Sequence, residues 1–473
     1  MNSIVSFYPI SIDDIKTKVA RKNGRKNGSI NKFYNQINIF NYPLNNIKVI
    51  INEFGENIIR VDGDIPIDLD INDGNRYLFI SYDQSILTHG LHKYPAKFFP
   101  ELPRWIIKRY SNEGNIVLDP FSGSSTTSVE ALLLKRNSVG IDVDPFSRFL
   151  SKVKTTPLDE NELKISLESL LKSIANYNPS NVLESEIPIF PYRDNWFNKE
   201  IILELAYLMK IIKYLEANDN IKDFYKICFS SIIRSVSNAD DNCTRTVIRK
   251  ILNKIINPAD ALKKFTETIL TNVPKMIEFS QICPRHIDTF IPENMDARNI
   301  GFKENTFDLA LTSPPYVNAV DYPRTHQLES YWLNLAHGSL APLKRKHVGT
   351  ESVFYKDYKK LNVLGIKEAD KVISNIYKID KRRSYIAYKY LFDMNKNLEE
   401  VYRVIKYGAR YIVVVGNNKI RGELFENWKY IMAIAENIGF GIENYFGSEI
   451  IKHFIKVPRE ERINTDWIII LKK

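Results

Sequence analysis

The sequence predicts an α/β protein with a mainly parallel sheet, interrupted by a mostly helical insertion. Three observations predict it. From about residue 100, strand-like and helix-like stretches alternate, an order that implies a βαβ unit with a right-handed crossover. From about 156 to 290 the alternation gives way to helical periodicity, with Ile201, Leu205, Leu208, Ile212 and Leu215 along one face. After residue 300, short apolar runs of strand length return.

Taken in order, residues 1–84 form an N-terminal region to which no role can be assigned. It opens with a basic patch, Lys16, Lys18, Arg21, Lys22, Arg25 and Lys26, with Gly24 and Gly28 loosening the backbone. Such a run fits an arm on phosphates or a solvated face. Ile47 to Ile51 and Tyr77 to Ile80 read as short strands between Asn, Asp and Gly turn signals. Pro103 to Tyr110 then reads as a helix, Ile116 to Asp119 as a buried strand, Thr126 to Leu134 as a helix and Ser138 to Asp142 as a strand. Later strands are expected at Phe307 to Thr312, Arg410 to Gly416, Phe440 to Phe446 and Trp467 to Leu471, the last two as an antiparallel closing pair. A Lys- and Tyr-rich segment lies between Leu340 and Lys396.

Composition narrows the class. The chain has 473 residues, 44% hydrophobic and 26% charged, which fits a globular protein and excludes wholesale disorder. Cys228, Cys243 and Cys283 are too few and scattered for a disulfide framework or a zinc site, so a reducing compartment is expected. No apolar run approaches a membrane span and the N-terminus lacks a leader pattern, so a cytoplasmic location and no membrane partner are expected. A net charge of +10 favours a polyanionic partner.

Two segments carry chemistry. The strand ending at Asp119 runs into Pro120, Phe121, Ser122, Gly123, Ser124, Ser125 and Thr126, a small-residue turn that lets a ligand approach the backbone and the next helix. It lacks the Lys of a phosphate-cradling loop and has one Gly where a dinucleotide fingerprint needs three. The following strand places Asp142 near its C-terminal end, where a carboxylate accepts hydrogen bonds from ribose hydroxyls. The second segment is Ser313-Pro314-Pro315-Tyr316, directly after the strand ending at Thr312. Paired prolines stiffen the loop and leave its carbonyls free. An aromatic amino nitrogen has its lone pair delocalised into the ring. Acceptance of its protons by the Ser313 hydroxyl and the Pro314 carbonyl would favour the localised pair that attacks a methyl sulfonium. Tyr316 would stack on a base flipped out of the duplex.

Together these segments resemble those of the amino-methylating DNA methyltransferases, most closely the cytosine-N4 type with a Ser-Pro-Pro-Tyr motif. The resemblance covers roughly 85–155 and 290–335. It implies a seven-stranded, mainly parallel sheet with a reversed last strand, S-adenosylmethionine as cofactor and DNA as partner, and it leaves open a cognate restriction nuclease. Asp119 to Thr127 resembles the family's cofactor loop, Asp142 its ribose-binding acid and Ser313 to Tyr316 its catalytic tetrapeptide. The stretch from His89 to Pro100 is similar to the segment packed over the cofactor's methionine end, with Tyr94, Pro95 and Lys97 as contacts. Asp296 falls in the segment that meets the adenine ring, and Asp321 or Arg324 would read the target base. No metal is expected, because His89 and His92 lack further nearby Cys or His ligands.

The catalytic domain would comprise 85–155 and 291–473. The 156–290 insertion or the basic 340–390 segment would read the DNA sequence. Ser at the tetrapeptide's first position favours cytosine N4. Adenine-N6 methylation, RNA amino-methylation and a non-catalytic nucleic-acid-binding protein on the same fold stay open.

Overall fold

The computed structural model describes residues 47–51, 57–81, 83–248, 254–317, 320–450 and 465–473. The basic patch at 16–26 lies outside them.

The sheet is built from β1 (Ile47–Ile51), β2 (Asn57–Asp62), β3 (Arg76–Ile80), β4 (Ile116–Asp119), β5 (Asn137–Gly140), β6 (Thr289–Phe290), β7 (Phe307–Thr312), β8 (Ile405–Gly416), β11 (Gly441–Glu449) and β12 (Thr465–Lys472). Two three-residue strands, β9 (Asn418–Ile420) and β10 (Glu423–Phe425), pair separately as an antiparallel hairpin. The spatial order is β1-β2-β3-β11-β12-β8-β7-β4-β5-β6. All of these strands run parallel except β12, antiparallel to both of its neighbours, and β1 at the edge.

The expected class is therefore present, with the reversed final strand, but the expected strand count of seven needs correction to ten. The run from β6 to β11 supplies seven strands, and β3, β2 and β1 extend it beyond β11. The extension forms because β11 has a free edge that β3 meets in parallel, Gly447 opposite Arg76. The Arg76 guanidinium fixes that join by donating to Glu449 at 2.6 Å and to Thr465 Oγ1 at 2.9 Å.

Side chains alternate across the sheet with the period of two that a pleated strand imposes. Leu118, Ala310, Tyr411, Val413, Ile469 and Leu471 face one core, whereas Val117, Leu309, Leu311, Ile412, Val414, Ile468 and Ile470 face another. The first face is covered by α9 (Lys367–Ile379), α10 (Lys381–Val404) and α11 (Asn427–Ile438), the second by α1 (Glu101–Tyr110). Helix α2 (Thr126–Leu133) follows β4 and α3 (Pro145–Thr155) follows β5. Asp144 starts α3 by accepting from the Phe146 amide at 2.8 Å, with Pro145 pre-set for the first turn.

Between α3 and β6 the chain is helical: α4 (Glu160–Ala175), α5 (Lys199–Lys213), α6 (Asp219–Ile233) and α7 (Asp260–Ile282). Their apolar faces share one core with Val129 and Leu132 of α2 and Phe146 and Leu150 of α3. The last described helix before α9 is α8 (Ala341–Lys346), a single basic turn and a half. No helix among the described residues is long and apolar enough to cross a membrane.

Candidate active site

At the C-terminal ends of β4, β5 and β7 a cleft opens, with about 750 Å³ of space counting its open mouth. This is where a parallel sheet places ligands, because the loops leaving adjacent strands diverge there.

The turn after β4 forms its floor. Ser122 donates its amide to the Ile141 carbonyl at 2.8 Å, and Ile141 donates to the Asp119 carbonyl at 2.9 Å, so the turn is stitched to the chain leaving β5. Gly123 has φ +47°, and a Cβ on it would lie 3.4 Å from the Tyr94 ring. The left-handed φ favours glycine there, whereas the Cβ would make only an ordinary contact. Gly140 is constrained by space instead, since a Cβ would lie 2.9 Å from Ile291 Cδ1 and 3.0 Å from Ser122 Cβ. The carbonyl of Ser124 accepts a hydrogen bond from the fully buried Lys154 ammonium of α3, and burial together with nearby Lys97 lowers that lysine's pKa.

Asp142 forms one wall. Its carboxylate accepts from the amides of Gly123 at 2.9 Å and Asp144 at 2.8 Å. Burial, then the adjacent Asp144 charge, push its pKa up to about 6. Asp144 moves the other way: burial would raise it, but His347, with Nε2 3.5 Å from Oδ2, outweighs that and holds it low.

Asp119 links this wall to the second motif. Its Oδ1 accepts from Thr312 Oγ1 at 2.7 Å, tying the end of β4 to the end of β7, and burial raises its pKa to about 6. Ser313 and Pro315 line the cleft directly beyond that bond.

Of the residues singled out from sequence, the cleft gathers Tyr94, Lys97, Asp119, Pro120, Phe121, Ser122, Gly123, Ser124, Thr126, Asp142, Asp296, Ser313 and Pro315. Pro95, Pro314, Tyr316, Asp321 and Arg324 are not among its lining residues. The Tyr316 hydroxyl donates instead to Asp466 Oδ1 of β12 at 2.7 Å. Asp321 caps the short turn Tyr322–Thr325 and pairs with Lys344 at 2.7 Å. His89, read with His92 as a weak metal pair, contacts the Glu130 carboxylate at 2.8 Å, while His92 packs edge-on against Phe146.

Sequence reasoning did not single out Ala96, Phe98, Val143, Ala297, Lys346, His347 and Val348 of the lining, or Asp466 behind it, whereas Tyr322 falls in the 318–324 stretch read as lining the base pocket. Phe98, Val143 and Ala297 each adjoin a residue it did find. His347 and Asp466 carried no local signal, because each meets the site only through the fold.

Chemically, the cleft combines a carboxylate acceptor, an exposed-backbone turn and aromatic walls, a set that suits a nucleoside-type ligand. Among the described residues no group of three or more His, Cys, Asp or Glu could hold a metal ion.

A family model described as DNA methylase, of the N6/N4 type, matches residues 16–148. The chain is 28% identical over 378 residues to the type II methyltransferase M.MvaI of Kocuria varians, spanning 74% of this chain and 82% of that protein. It is 24% identical over 407 residues to the type II methyltransferase M.BsoBI of Geobacillus stearothermophilus, spanning 76% and 79%. Among solved structures, a SAM-dependent methyltransferase from Methanosarcina mazei aligns over 81% of this chain and 98% of its own at 10% identity, with a TM-score of 0.28, an overlap too loose to carry weight.

The sheet, with one reversed strand, and the cleft at its strand ends define a mainly parallel α/β protein whose site suits a nucleoside-type ligand. In sequence the chain is similar to amino-methylating DNA methyltransferases, and these matches do not separate the cytosine-N4 from the adenine-N6 branch.

Proposed function

We propose that the protein transfers a methyl group from S-adenosylmethionine to the exocyclic N4 amino group of cytosine in duplex DNA. The observation that carries this reading is the Asp119 to Thr312 hydrogen bond, which holds Ser313 on the same cleft as Asp142.

The cleft's own chemistry fits the cofactor. Asp142, already accepting from the Gly123 and Asp144 amides, has lone pairs left for ribose hydroxyls, Ser122 Oγ is buried without a hydrogen-bond partner, and Gly123 presents no side chain to the cleft. When bound, the cofactor supplies an electrophilic methyl on sulfur. The chain's residues then have defined tasks. Ser313 Oγ and the Pro314 carbonyl would accept hydrogen bonds from the amino group of the extruded base, which favours a localised nitrogen lone pair able to attack the methyl carbon as its bond to sulfur breaks. Tyr316 holds the ring plane, itself fixed through Asp466. None of the three cysteines lies next to the tetrapeptide, so direct attack by nitrogen is favoured over a covalent base adduct.

Ser313 is the ground for choosing cytosine, through the resemblance to the Ser-Pro-Pro-Tyr type. Incubation with duplex DNA and isotopically labelled S-adenosylmethionine, followed by digestion to nucleosides and mass spectrometry, is expected to yield N4-methylcytosine. N6-methyladenine alone would overturn the choice of base, and label confined to RNA would overturn the choice of substrate.

A further inference from the structure

Leaving the cleft rim at His347 and Val348, the chain forms a strap that carries an unusual combination of exposed groups. Between 341 and 363 there are six Lys or Arg side chains against two carboxylates. Both carboxylates are engaged: Glu351 pairs with Arg383 at 2.6 Å, and Asp357 accepts from the Phe354 amide at 3.1 Å. Lys344 pairs with Asp321. Arg345, Lys346, Lys356, Lys359 and Lys360 have no carboxylate within ion-pair distance among the described residues.

Interleaved with them are two aromatic rings that a globular protein would ordinarily bury. Phe354 is 52% exposed and Tyr355 68% exposed. The Arg345 guanidinium lies 4.9 Å from the Phe354 ring centre and the Lys359 ammonium 5.2 Å from that of Tyr355.

The strap is not a loose loop. Its inner side is pinned by Arg298 donating to the Lys346 carbonyl at 2.7 Å, Arg382 donating to the Glu351 carbonyl at 2.6 Å, and Tyr377 donating to the Lys359 carbonyl at 2.8 Å. The cations and rings are thus presented outward on an anchored backbone.

We infer that this strap is a DNA-contacting surface, with Arg345, Lys356, Lys359 and Lys360 on phosphates and the rings of Phe354 and Tyr355 stacking on bases beside the cleft. Cations with adjacent aromatic faces suit a polyanion that also offers flat apolar rings, which a duplex with an extruded base does. The choice of DNA as the polyanion rests on the function proposed above.

The test is anisotropy of a labelled mixed-sequence duplex titrated with the full chain over a range of salt. The Lys356→Ala/Lys359→Ala/Lys360→Ala protein is expected to bind about tenfold more weakly, with a shallower dependence of log K on log salt, by about 0.9 for each phosphate no longer neutralised. Phe354→Ala and Tyr355→Ala are each expected to cost about tenfold in affinity, and Phe354→Tyr to restore it. All are expected to keep wild-type S-adenosylhomocysteine affinity by calorimetry and an unchanged melting temperature. Unaltered duplex binding in these variants overturns the inference, as does a loss confined to RNA of the same length. Strap-dependent duplex binding without methyl transfer by the wild type would instead overturn the proposed function alone.

Discussion

A carboxylate accepts hydrogen bonds fully only while ionised, and at Asp142 burial and Asp144 move the ionisation to about pH 6. Affinity for S-adenosylhomocysteine is therefore expected to fall as pH drops from about 7 to about 5. Stability responds with the opposite sign. A carboxyl whose folded pKa is raised binds its proton more tightly in the folded protein, so this group adds stability as pH falls from about 6 toward its ordinary 3.8. Calorimetric titration across that range checks it, with Asp142→Asn expected to bind weakly at every pH and to lack the step. A variant that binds like wild type with the step intact would remove Asp142 from the site. Tyr316 and Asp466 make a second residue-scale case. Tyr316→Phe keeps the ring and removes the donor to a buried carboxylate, so kcat is expected to fall about tenfold at unchanged cofactor affinity, the scale of one buried hydrogen bond to a charged group. Asp466→Asn, which can still accept, is expected to stay near wild type, and an equal loss in both would refute the positioning role. Asp142 and Ser313 were legible as cleft residues because each follows a strand in a recognisable turn. Asp466 was not, since it is 150 positions from the tyrosine it receives.

At the scale of elements, β1, β4 and β7 were read with bounds that matched to the residue, β4 and β7 with the clearest signals. These two are buried runs of apolar residues closed by Asp-Pro or Ser-Pro, so burial and punctuation agree. β2 was missed because Asn-Ile-Ile-Arg-Val-Asp mixes polarity without clean alternation, and β6 because two residues make no pattern. The link from the cover segment to the turn was equally hidden, and it depends on one side chain of α2. Glu130 is fully buried, accepts from Arg104 of α1 at 2.8 Å and from His89 at 2.8 Å, and thereby clamps α2 to α1 and to the stretch leading into Tyr94. Burial alone would raise its pKa, but Arg104 and His89 bring it down to about 2. Its contribution is thus present above its ordinary 4.5 and lost as pH falls through about 2. Glu130→Ala strands Arg104 with only Asp64 and is expected to cost about 3–5 kcal/mol in urea unfolding. A loss under about 1 kcal/mol, the range of a surface pair, would contradict the clamp.

For the whole molecule, the insertion from 156 to 290 reads from sequence as a mostly helical insertion, and its core is continuous with the helices that follow β4 and β5. Phe224, Phe265 and Phe279 belong to the same buried cluster as Val129 of α2 and Phe146 of α3. Asn272 of α7 donates to the Leu91 carbonyl at 3.3 Å, in the segment that leads to Tyr94. Periodicity shows which face of a helix is apolar but not what that face meets, so the shared core was not legible. A continuous core predicts one cooperative transition, because unfolding the insertion would expose α2 and α3 and leave the turn unsupported. Tryptophans mark the two cores independently: Trp332 packs in the core shared with the insertion, whereas Trp428 and Trp467 stack at 4.3 Å outside it. Phe224→Ala is expected to remove about 3–5 kcal/mol, to lower the urea midpoint seen through both sets of tryptophans equally, and to weaken S-adenosylhomocysteine binding near that midpoint. Single-tryptophan proteins separate the signals. Two resolved transitions, with Trp428 and Trp467 surviving the first, would mean that the insertion unfolds on its own and that the cofactor turn does not lean on it.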